Sequence, residues 1–494
     1  MIRVSEIEAF TGIKTMLTVQ MQQALDDWYS AAIYGEPLTH NPDVKSMGWP
    51  AAISSELARL TTLEMELRVT GTPRADWING KMQRVVSPRR RRVLAVALAL
   101  GSGVWMPYQT ADNLGVSFIP ATGYFPVSLG VDGELTEAIF IDQIQDSDGY
   151  YNRLQWMHVL TSPQDYHDKE RDILEEKHLR PAAQYPCVQV LNLAFRSSQR
   201  DALGAPSPLN ARAEWQGIPP VVYLQKLTKL PVGYFVTPVV NVVDPTSDIG
   251  APMWAPATNQ IIAADEQFTR LDWEYEGGEL AIDTDFQYLQ PGADGEKRSE
   301  IPGHRARLFT GLDVNTGISQ QTPFFNVFAP ALRDNSYLTG LNSYIRQIES
   351  HAGLSFGTFS QIAEVERTAT EIMSSKQKLY STVADVQAAL EEALRGLIDA
   401  LDFWADSVPT APPRGSEMQI TFKWDDSILV DRQTEIAQWQ QEMTMGVRSR
   451  AEYRQHFYGE DEAAALAAIE AVKSELQQAD VLKGVTGDAD APTG

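Results

Sequence analysis

The sequence predicts an α+β fold, because helical and strand-like patterns fill different parts of the chain. Residues 335–404 repeat apolar side chains at intervals of three and four, the period of an amphipathic helix. Residues 104–160 alternate apolar and polar side chains, and Asp132-Gly133 within them is a hairpin signal. Strands and proline-containing loops continue over residues 185–245.

A helix, a glycine-containing loop and a long helix are predicted between Asn335 and Trp404. The first helix covers residues 335–352, and Gly353-Leu354-Ser355-Phe356-Gly357 then favours a turn. Thr368 and Glu371 form a capping-box pattern at which a helix of roughly 35 residues, on the order of 50 Å, begins. So long a helix is uncommon in a compact core, which suggests a shaft or a wall shared between subunits.

The remaining segments contain shorter predicted elements. Residues 279–328 mix strand signals with glycine-rich loops, and Gln419-Ile420-Thr421-Phe422 alternates like a strand. Ser449 and Glu452 form a second capping-box pattern. Further helices are predicted at Ala24–Tyr34, Ala52–Met65, from Pro88 onwards, Thr258–Glu276, Gln433–Met443 and Glu460–Gln478.

Composition limits the possible functions. At 494 residues the chain has room for about three domains, and its apolar run at 93–100 is far shorter than a membrane span. The single cysteine, Cys187, excludes an intramolecular disulfide and is expected to be a buried apolar residue. The formal charge of −24 argues against tight general binding of DNA phosphates. This charge fits both a surface that repels phosphate and an ordinary soluble protein.

Several strings, in this order over about 400 residues, resemble the portal proteins of tailed bacteriophages, the siphophage-type head-to-tail connectors. Each string alone is weak, and their order makes the resemblance specific. They are Ala97–Gly101, Phe118–Pro120 and on to Gly133, Tyr151–Leu154 before His158, Pro238–Asn241 with Asp244, Gly353–Gly357, Thr368–Ile372 and Asp431–Glu462.

The resemblance implies a portal fold with a mixed α/β wing, a helical stem, a small α/β clip, a long tunnel helix and a helical crown. The implied boundaries are 1–255 for the wing, 256–277 for the first stem helix, 278–327 for the clip, 328–352 for the second stem helix, 353–367 for a tunnel loop, 368–408 for the long helix, 409–430 for a linker and wing strand, 431–478 for the crown and 479–494 for a flexible tail.

The implied function is that of a ring, usually of twelve subunits, at the unique capsid vertex of a virion assembled in the host cytoplasm. Double-stranded DNA would enter and leave through the ring without sequence specificity. The implied partners are further copies of the chain, the terminase large subunit, a head-tail adaptor, and the major capsid and scaffolding proteins. Neither a membrane, a cofactor nor catalytic activity of its own is implied, so a separate motor would supply the energy.

The tunnel loop would touch the DNA. Gly353 and Gly357 are expected to allow motion, and Phe356 and Phe359 to pack or wedge without gripping phosphate. The loop's charged residues are Glu364, Glu366 and Arg367. The two acids would repel phosphate, and one arginine is too little for lasting retention. The alternative is a packed surface loop whose phenylalanines belong to the core.

Two basic segments have open interpretations. In the clip, a partner surface and a solvated loop are both compatible with Lys297, Arg298, His304, Arg305 and Arg307. Arg89–Arg92 surround a predicted helix with no aromatic residue between them, which favours ion pairs over nucleic-acid binding.

Other functional classes have less support. Gly353–Gly357 matches the G-x-S-x-G elbow of serine hydrolases, but a helix precedes it and the only later histidine is His456. Gly80-Lys81 lacks the P-loop spacing, and the seven histidines are scattered along the sequence, so no metal cluster is expected. A capsid component without a channel remains an alternative, against which the paired stem-like helices argue.

Overall fold

The structure is a computed structural model that describes residues 1–63, 65–109, 113–245, 247–285, 309–312, 325–361, 369–415, 417–424, 432–458 and 460–486. Two compact units make up the chain, Met1–Trp424 and Asp425–Gly494. The first unit combines helices with several sheets, which confirms the predicted α+β class.

Most α-helices of the first unit lie toward the two ends of its sequence. The helices are α1 (Val4–Thr11), α2 (Val19–Tyr29), α3 (Trp49–Thr62), α4 (Pro73–Lys81), α5 (Arg90–Leu100), α6 (Asp168–Glu176), α7 (Thr258–Gly277), α8 (Asp334–His351) and α9 (Ala369–Ala405). Among the residues that the structure describes, no helix has both the length and the hydropathy needed to cross a membrane.

Most strands lie between α5 and α7. They are β1 (Glu66–Thr70), β2 (Ser102–Gln109), β3 (Leu114–Pro120), β4 (Tyr124–Leu129), β5 (Leu135–Asp146), β6 (Gly149–Leu160), β7 (Cys187–Ser197), β8 (Ala205–Ser207), β9 (Val221–Gln225), β10 (Gly233–Val236), β11 (Ala281–Asp285), β12 (Phe309–Leu312), β13 (Phe325–Phe328) and β14 (Gln419–Lys423). They pair as β4-β5-β6-β7-β8 with β9 also on β7, as β10-β2-β3, as β12-β11-β13 and as β1-β14.

The largest sheet is antiparallel and carries a core on one face. Asp132-Gly133 lies in the turn between β4 and β5, as predicted. Phe140, Met157 and Val188 from successive strands are buried together, and Phe403 and Trp404 of α9 pack against this cluster. Cys187 is fully buried at the start of β7, and burial raises the pKa of its thiol, which confirms its predicted role as a buried apolar residue.

Helix α9 is 37 residues long, and its predicted apolar positions face inward. The seven positions from Leu379 to Leu401 are at most 7% exposed: Leu379, Val383, Val386, Leu390, Leu394, Leu397 and Leu401. The helix approaches β10 closely, since a Cβ on Gly233 would lie 2.5 Å from the carbonyl oxygen of Ala393. A Cβ on Gly396 would lie 3.1 Å from the Val232 carbonyl oxygen, so both glycines serve this contact.

Helices α7 and α8 pack side by side in opposite directions, at bounds within one residue of those predicted. Arg333, just before α8, meets Glu274 in the last turn of α7, with Nη2–Oε2 at 2.6 Å and Nε–Oε1 at 3.1 Å. This guanidinium lowers the pKa of the Glu274 carboxyl. Further along, Gln267 Nε2 donates to the carbonyl oxygen of Tyr337 at 3.4 Å.

Helices α2 and α3 begin earlier than the sequence predicts. Helix α2 starts at Val19, where the Thr18 hydroxyl accepts a hydrogen bond from the Met21 N–H at 3.2 Å. A π-helical segment, Ser30–Tyr34, extends it. Helix α3 starts at Trp49 with Pro50 in its first turn.

In the second unit, the helices α10 (Arg432–Thr444), α11 (Arg450–Tyr458) and α12 (Glu462–Thr486) follow one another. The predicted capping box is confirmed: Ser449 N–H donates to Glu452 Oε2 at 2.7 Å, and Glu452 N–H to Ser449 Oγ at 3.1 Å. Helix α12 continues past Gln478, so residues 479–486, expected in a flexible tail, are helical. Residues 479–483 contain neither proline nor glycine, so nothing in them breaks the helix.

A buried acid in α7 connects this helix to the loop before α3. Asp265 is 2% exposed, and its Oδ1 accepts the Met47 N–H at 2.9 Å. Burial raises the pKa of Asp265 from 3.8 to about 6, although the hydrogen bond from Met47 opposes the shift. A carboxyl with a raised pKa keeps its proton longer in the folded state, so stability falls as pH rises from about 4 to 6.

We therefore expect Asp265→Asn to increase the free energy of unfolding at pH 7.5, by about 1 to 3 kcal/mol, with little gain at pH 4. The amide oxygen can still accept the Met47 N–H. Urea unfolding at both pH values measures the difference. Asp132→Asn, in an exposed turn, is the matched control and should change neither value. An equal gain at both pH values would contradict the titration argument.

Candidate functional site

The segment after α8 begins with a defined helix end. Gly353 has φ +73°, its N–H donates to the Ser350 carbonyl at 3.4 Å, and the Leu354 N–H donates to the Glu349 carbonyl at 2.8 Å. These two bonds form a Schellman motif, in which a left-handed glycine terminates a helix. Leu354 is 2% exposed, so the chain leaves the helix toward the core.

Gly353 also contacts α9. A Cβ at this position would lie 2.3 Å from Thr382 Oγ1, which leaves no room for a larger residue. Nearby, Lys378 Nζ donates to the Ser350 carbonyl oxygen at 2.5 Å, placing a cation at the negative end of α8. The end of α8 is thus attached to α9 through both packing and charge.

Glu349 holds the loop that follows. Its side chain is fully buried in the last turn of α8. Oε1 accepts the N–H groups of Phe359 at 2.6 Å and Ser360 at 2.7 Å. Oε2 accepts the Gly357 N–H at 3.2 Å and the Ser360 hydroxyl at 2.8 Å. One ionisable side chain therefore satisfies four donors of a single loop, and hydrogen bonds to an ionised acceptor are stronger than neutral ones.

The loop then runs back along α8. Asn342 and Gln361 exchange two hydrogen bonds, from Gln361 N–H to Asn342 Oδ1 at 2.9 Å and from Asn342 Nδ2 to the Gln361 carbonyl at 3.2 Å. Arg346 Nη2 donates to the same carbonyl at 3.2 Å. Residues 353–361 are consequently fixed to α8 at both ends, and this segment is called the anchored loop below.

The anchored loop contains four of the seven residues predicted to face DNA. Phe356 is 44% exposed, whereas the Phe359 ring packs edge-on against Trp49 of α3, with 5.6 Å between ring centroids. Gly353 and Gly357 were expected to allow motion. In the structure, Gly353 packs against Thr382, and the Gly357 N–H donates to Glu349. Glu364, Glu366 and Arg367 lie outside the described residues, as does Thr368 of the predicted capping box.

Ser355 does not have the surroundings of a hydrolase nucleophile. It follows a helix rather than a strand, and its hydroxyl lies 3.2 Å from that of Thr358. Thr358 Oγ1 in turn donates to the Ser355 carbonyl oxygen at 2.7 Å. These contacts are those of a local turn, whereas an elbow serine requires a strand-to-helix turn and a histidine base.

The predicted basic surface of the clip lies outside the residues that the structure describes. This applies to Lys297, Arg298, His304, Arg305 and Arg307. The described strands around them are β11, β12 and β13, with β11 parallel to β12 and antiparallel to β13. Of Arg89–Arg92, Arg90 donates to the Met65 carbonyl oxygen at 2.9 Å, and the other three are exposed.

A polar cluster on the largest sheet was missed by the sequence analysis, which treated the histidines as scattered. Glu137, His158 and Gln189 lie directly opposite one another on β5, β6 and β7. His167 Nε2 lies 3.0 Å from Glu137 Oε1, and His158 Nδ1 lies 3.1 Å from Glu170 Oε2. Trp156 Nε1 and Gln189 Nε2 donate to Glu137 and Glu170, respectively, both at 2.8 Å.

Possible metal ligands come together in this cluster, since atoms of Glu137, His158 and His167 lie within 4.8 Å of one another. The two imidazole rings are nearly parallel, with an interplanar angle of 20° and 4.8 Å between centroids. One nitrogen of each ring already faces a carboxylate, since His167 Nε2 lies 3.0 Å from Glu137 and His158 Nδ1 lies 3.1 Å from Glu170. The arrangement is therefore that of a hydrogen-bond network, in which the contact with Glu137 raises the pKa of His167.

Comparison with known proteins supports the predicted family. Residues 309–481 match the model of the family described as "Phage portal protein, SPP1 Gp6-like". This range includes α8, the anchored loop and α9, so the portal resemblance inferred from the sequence is confirmed there. No curated protein matches the chain.

The solved structures similar to the chain include chains from gene transfer agent particles. A chain from the virion of the native particle has a TM-score of 0.44 at 11% identity, and one from the neck of the native particle, computed with C12 symmetry, has 0.44 at 10%. A chain from the neck of the empty particle, computed with C6 symmetry, has 0.41 at 12%. Each alignment covers 92% of this chain and 97% of the other.

The anchored loop gives a direct test of why position 353 is glycine. We expect Gly353→Ala to lower the free energy of unfolding by about 2 to 4 kcal/mol, because it adds an overlap with Thr382 to the strain of a positive φ. Gly12→Ala is the matched control, since Gly12 has φ +74° and a Cβ added there would meet no atom within 4 Å. The control should lose only about 1 kcal/mol. Equal losses in urea unfolding would show that the contact with α9 contributes nothing.

Proposed function

We propose that the chain is the subunit of a phage portal ring at the unique vertex of the capsid. The ring would consist of twelve copies, and double-stranded DNA would pass through its central channel during packaging and ejection. The observation that carries the proposal is the family match over residues 309–481, because that range contains α8, the anchored loop and α9. The coarser part of the proposal, a structural protein of the phage head-tail connection, needs only this match.

The unit formed by α8, the anchored loop and α9 supports a channel subunit in particular. Helices α7 and α8 pack in opposite directions, so α8 returns the chain toward the starting end of α7, and the anchored loop follows. We infer that α7 and α8 are the stem, that β11, β12 and β13 belong to the clip between them, and that the loop continuing through Glu364 and Glu366 faces the DNA. The strand pair β1-β14 brings the chain after α9 back to residues 66–70, which supports the proposed return to the wing.

Exposed apolar side chains on the two stem helices support self-association. Trp273 is 66% exposed on α7, and Leu338 is 44% exposed on α8. Tyr275 and Leu332, close to the meeting point of the two helices, are 42% and 43% exposed. Exposed apolar patches are typical of protein–protein contacts, and a heterologous contact that repeats around an axis closes into a ring.

The remaining partners follow from the proposed position in the virion. The terminase large subunit would dock on the clip during packaging, and a head-tail adaptor would occupy the same end afterwards. The basic residues Lys297, Arg298, Arg305 and Arg307 are the proposed contact surface of the clip. Major capsid and scaffolding proteins would contact the wing. The chain itself would perform no catalysis, since Ser355 lies in a local turn.

Ring assembly is the first test. We expect the purified protein to form particles of roughly 660 kDa with a central hole in negative-stain electron microscopy, twelve times the chain mass of 54.9 kDa. Trp273→Glu should weaken each subunit contact about thirtyfold, because an exposed tryptophan at an interface contributes about 2 kcal/mol or more. Val131→Glu, in a fully exposed hairpin turn, is the control and should leave the rings intact. A monodisperse wild-type monomer at micromolar concentration would contradict the proposal.

DNA passage is the second test. We expect Glu364→Lys combined with Glu366→Lys to slow or stall DNA translocation in an in vitro packaging assay while rings still form, because sliding requires weak contacts with phosphate. The control combines Glu175→Lys with Glu176→Lys, which makes the same charge change at exposed positions of α6. Translocation at the wild-type rate by the first variant would show that this loop does not meet DNA.

A further inference from the structure

Glu349 occupies a position that is unfavourable for an acid on two grounds. It lies in the last turn of α8, where the helix dipole presents its negative end. Its carboxylate is also fully buried, and burying an ionised group is costly unless its hydrogen bonds are replaced. Residues that break a local rule are often found where function requires them.

Among the described residues, the compensation for Glu349 comes from the anchored loop. The four donors at 2.6 to 3.2 Å are the N–H groups of Gly357, Phe359 and Ser360 and the Ser360 hydroxyl. Two nearby cations are used elsewhere: Lys378 donates to the Ser350 carbonyl, and Arg346 to the Gln361 carbonyl. The carboxylate and the loop therefore depend on each other, because each satisfies buried polar groups of the other.

We propose that Glu349 is the positioning residue of the DNA-facing loop. Its carboxylate fixes the path of residues 357–360, and thereby the point from which the chain continues after Gln361. The inference rests on the proposed function, since it assigns a role to the loop that the portal would present to DNA. The stem helix, rather than the loop's own sequence, would then determine how the loop is presented in each subunit.

Two substitutions test the hold of Glu349 on the loop. Glu349→Gln replaces one acceptor oxygen with an amide nitrogen that faces N–H donors, and Glu349→Ala removes all acceptors. We expect the amides of Phe359 and Ser360 to exchange with deuterium at least about tenfold faster in Glu349→Ala, since their hydrogen bonds are lost, and to a smaller extent in Glu349→Gln, which keeps one acceptor oxygen. The Gly357 amide should change less, because its N–H also lies 3.1 Å from Ser360 Oγ. Exchange in α9 between Leu379 and Leu390 should not change. Glu392→Gln, at an exposed position of α9, is the matched control for loss of one negative charge.

The same rings are then tested for DNA passage. With ring formation intact, we expect Glu349→Gln to lower the translocation rate several-fold, whereas Glu392→Gln keeps the wild-type rate. Unchanged exchange at the Phe359 and Ser360 amides would overturn the proposal. Faster exchange combined with a wild-type translocation rate would also overturn it. Glu349 would then hold the anchored loop, but the position of the loop would not affect DNA translocation.

A second variant covers the case in which both Glu349 variants fail to fold. Ser360→Ala removes the hydroxyl that donates to Glu349 Oε2 at 2.8 Å and accepts the Gly357 N–H at 3.1 Å, without leaving a buried charge unpaired. It should raise exchange at Phe359 by about threefold to tenfold and slow translocation to a smaller extent, and no change in either would overturn the proposal. Exchange at Gly357 does not discriminate in this variant, because the Gly357 N–H loses its own bond to Ser360 Oγ. If wild-type rings fail to carry DNA at all, the portal function fails, whereas the exchange measurements still decide whether Glu349 holds the loop.

Discussion

The contact between α9 and the β10-β2-β3 sheet is the interaction on which the rest of the first unit depends. Eight large apolar side chains of α9, the seven named above and Ile398, are almost fully buried, and each contributes about 1.5 to 3 kcal/mol relative to an exposed position. Gly233 and Gly396 allow the helix and β10 to approach closely. The same helix extends from this contact to Lys378 and Thr382, which hold the end of α8. Burial in the core thus determines where the anchored loop lies.

The features of this arrangement that depend on residues close together in the sequence could be predicted. The bounds of α7 and α8 follow from their apolar spacing, and the break at Gly353 follows from glycine chemistry. The start of α11 follows from the capping pair Ser449 and Glu452, whose hydrogen bonds are local. In each case the deciding interaction joins residues close together along the chain, so a local sequence pattern is enough to predict it.

Two kinds of interaction could not be predicted: those between residues far apart in the sequence, and those with backbone groups, which every residue type shares. Glu349 binds backbone N–H groups eight to eleven residues later. Almost every residue type has such a donor, so no sequence pattern identifies the ones that Glu349 binds. Its only signal was an acid in the last turn of a helix, where the dipole disfavours it. Glu137 and His158 meet because two strands pair in one register, which their separation along the chain does not reveal. Missed caps such as Thr18 explain the errors at the start of α2.

The excess of acids over basic residues has a structural consequence inside the protein as well as on its surface. With 65 acids and 41 basic residues, not every carboxylate can have a cationic partner of its own. Glu349 and Asp265 accept backbone N–H groups, and Glu170 accepts from Gln189 and from the His167 N–H. Such buried contacts are screened by salt much less than exposed ion pairs. Added salt should therefore weaken the hold of Glu349 on the anchored loop less than it weakens the exposed ion pairs.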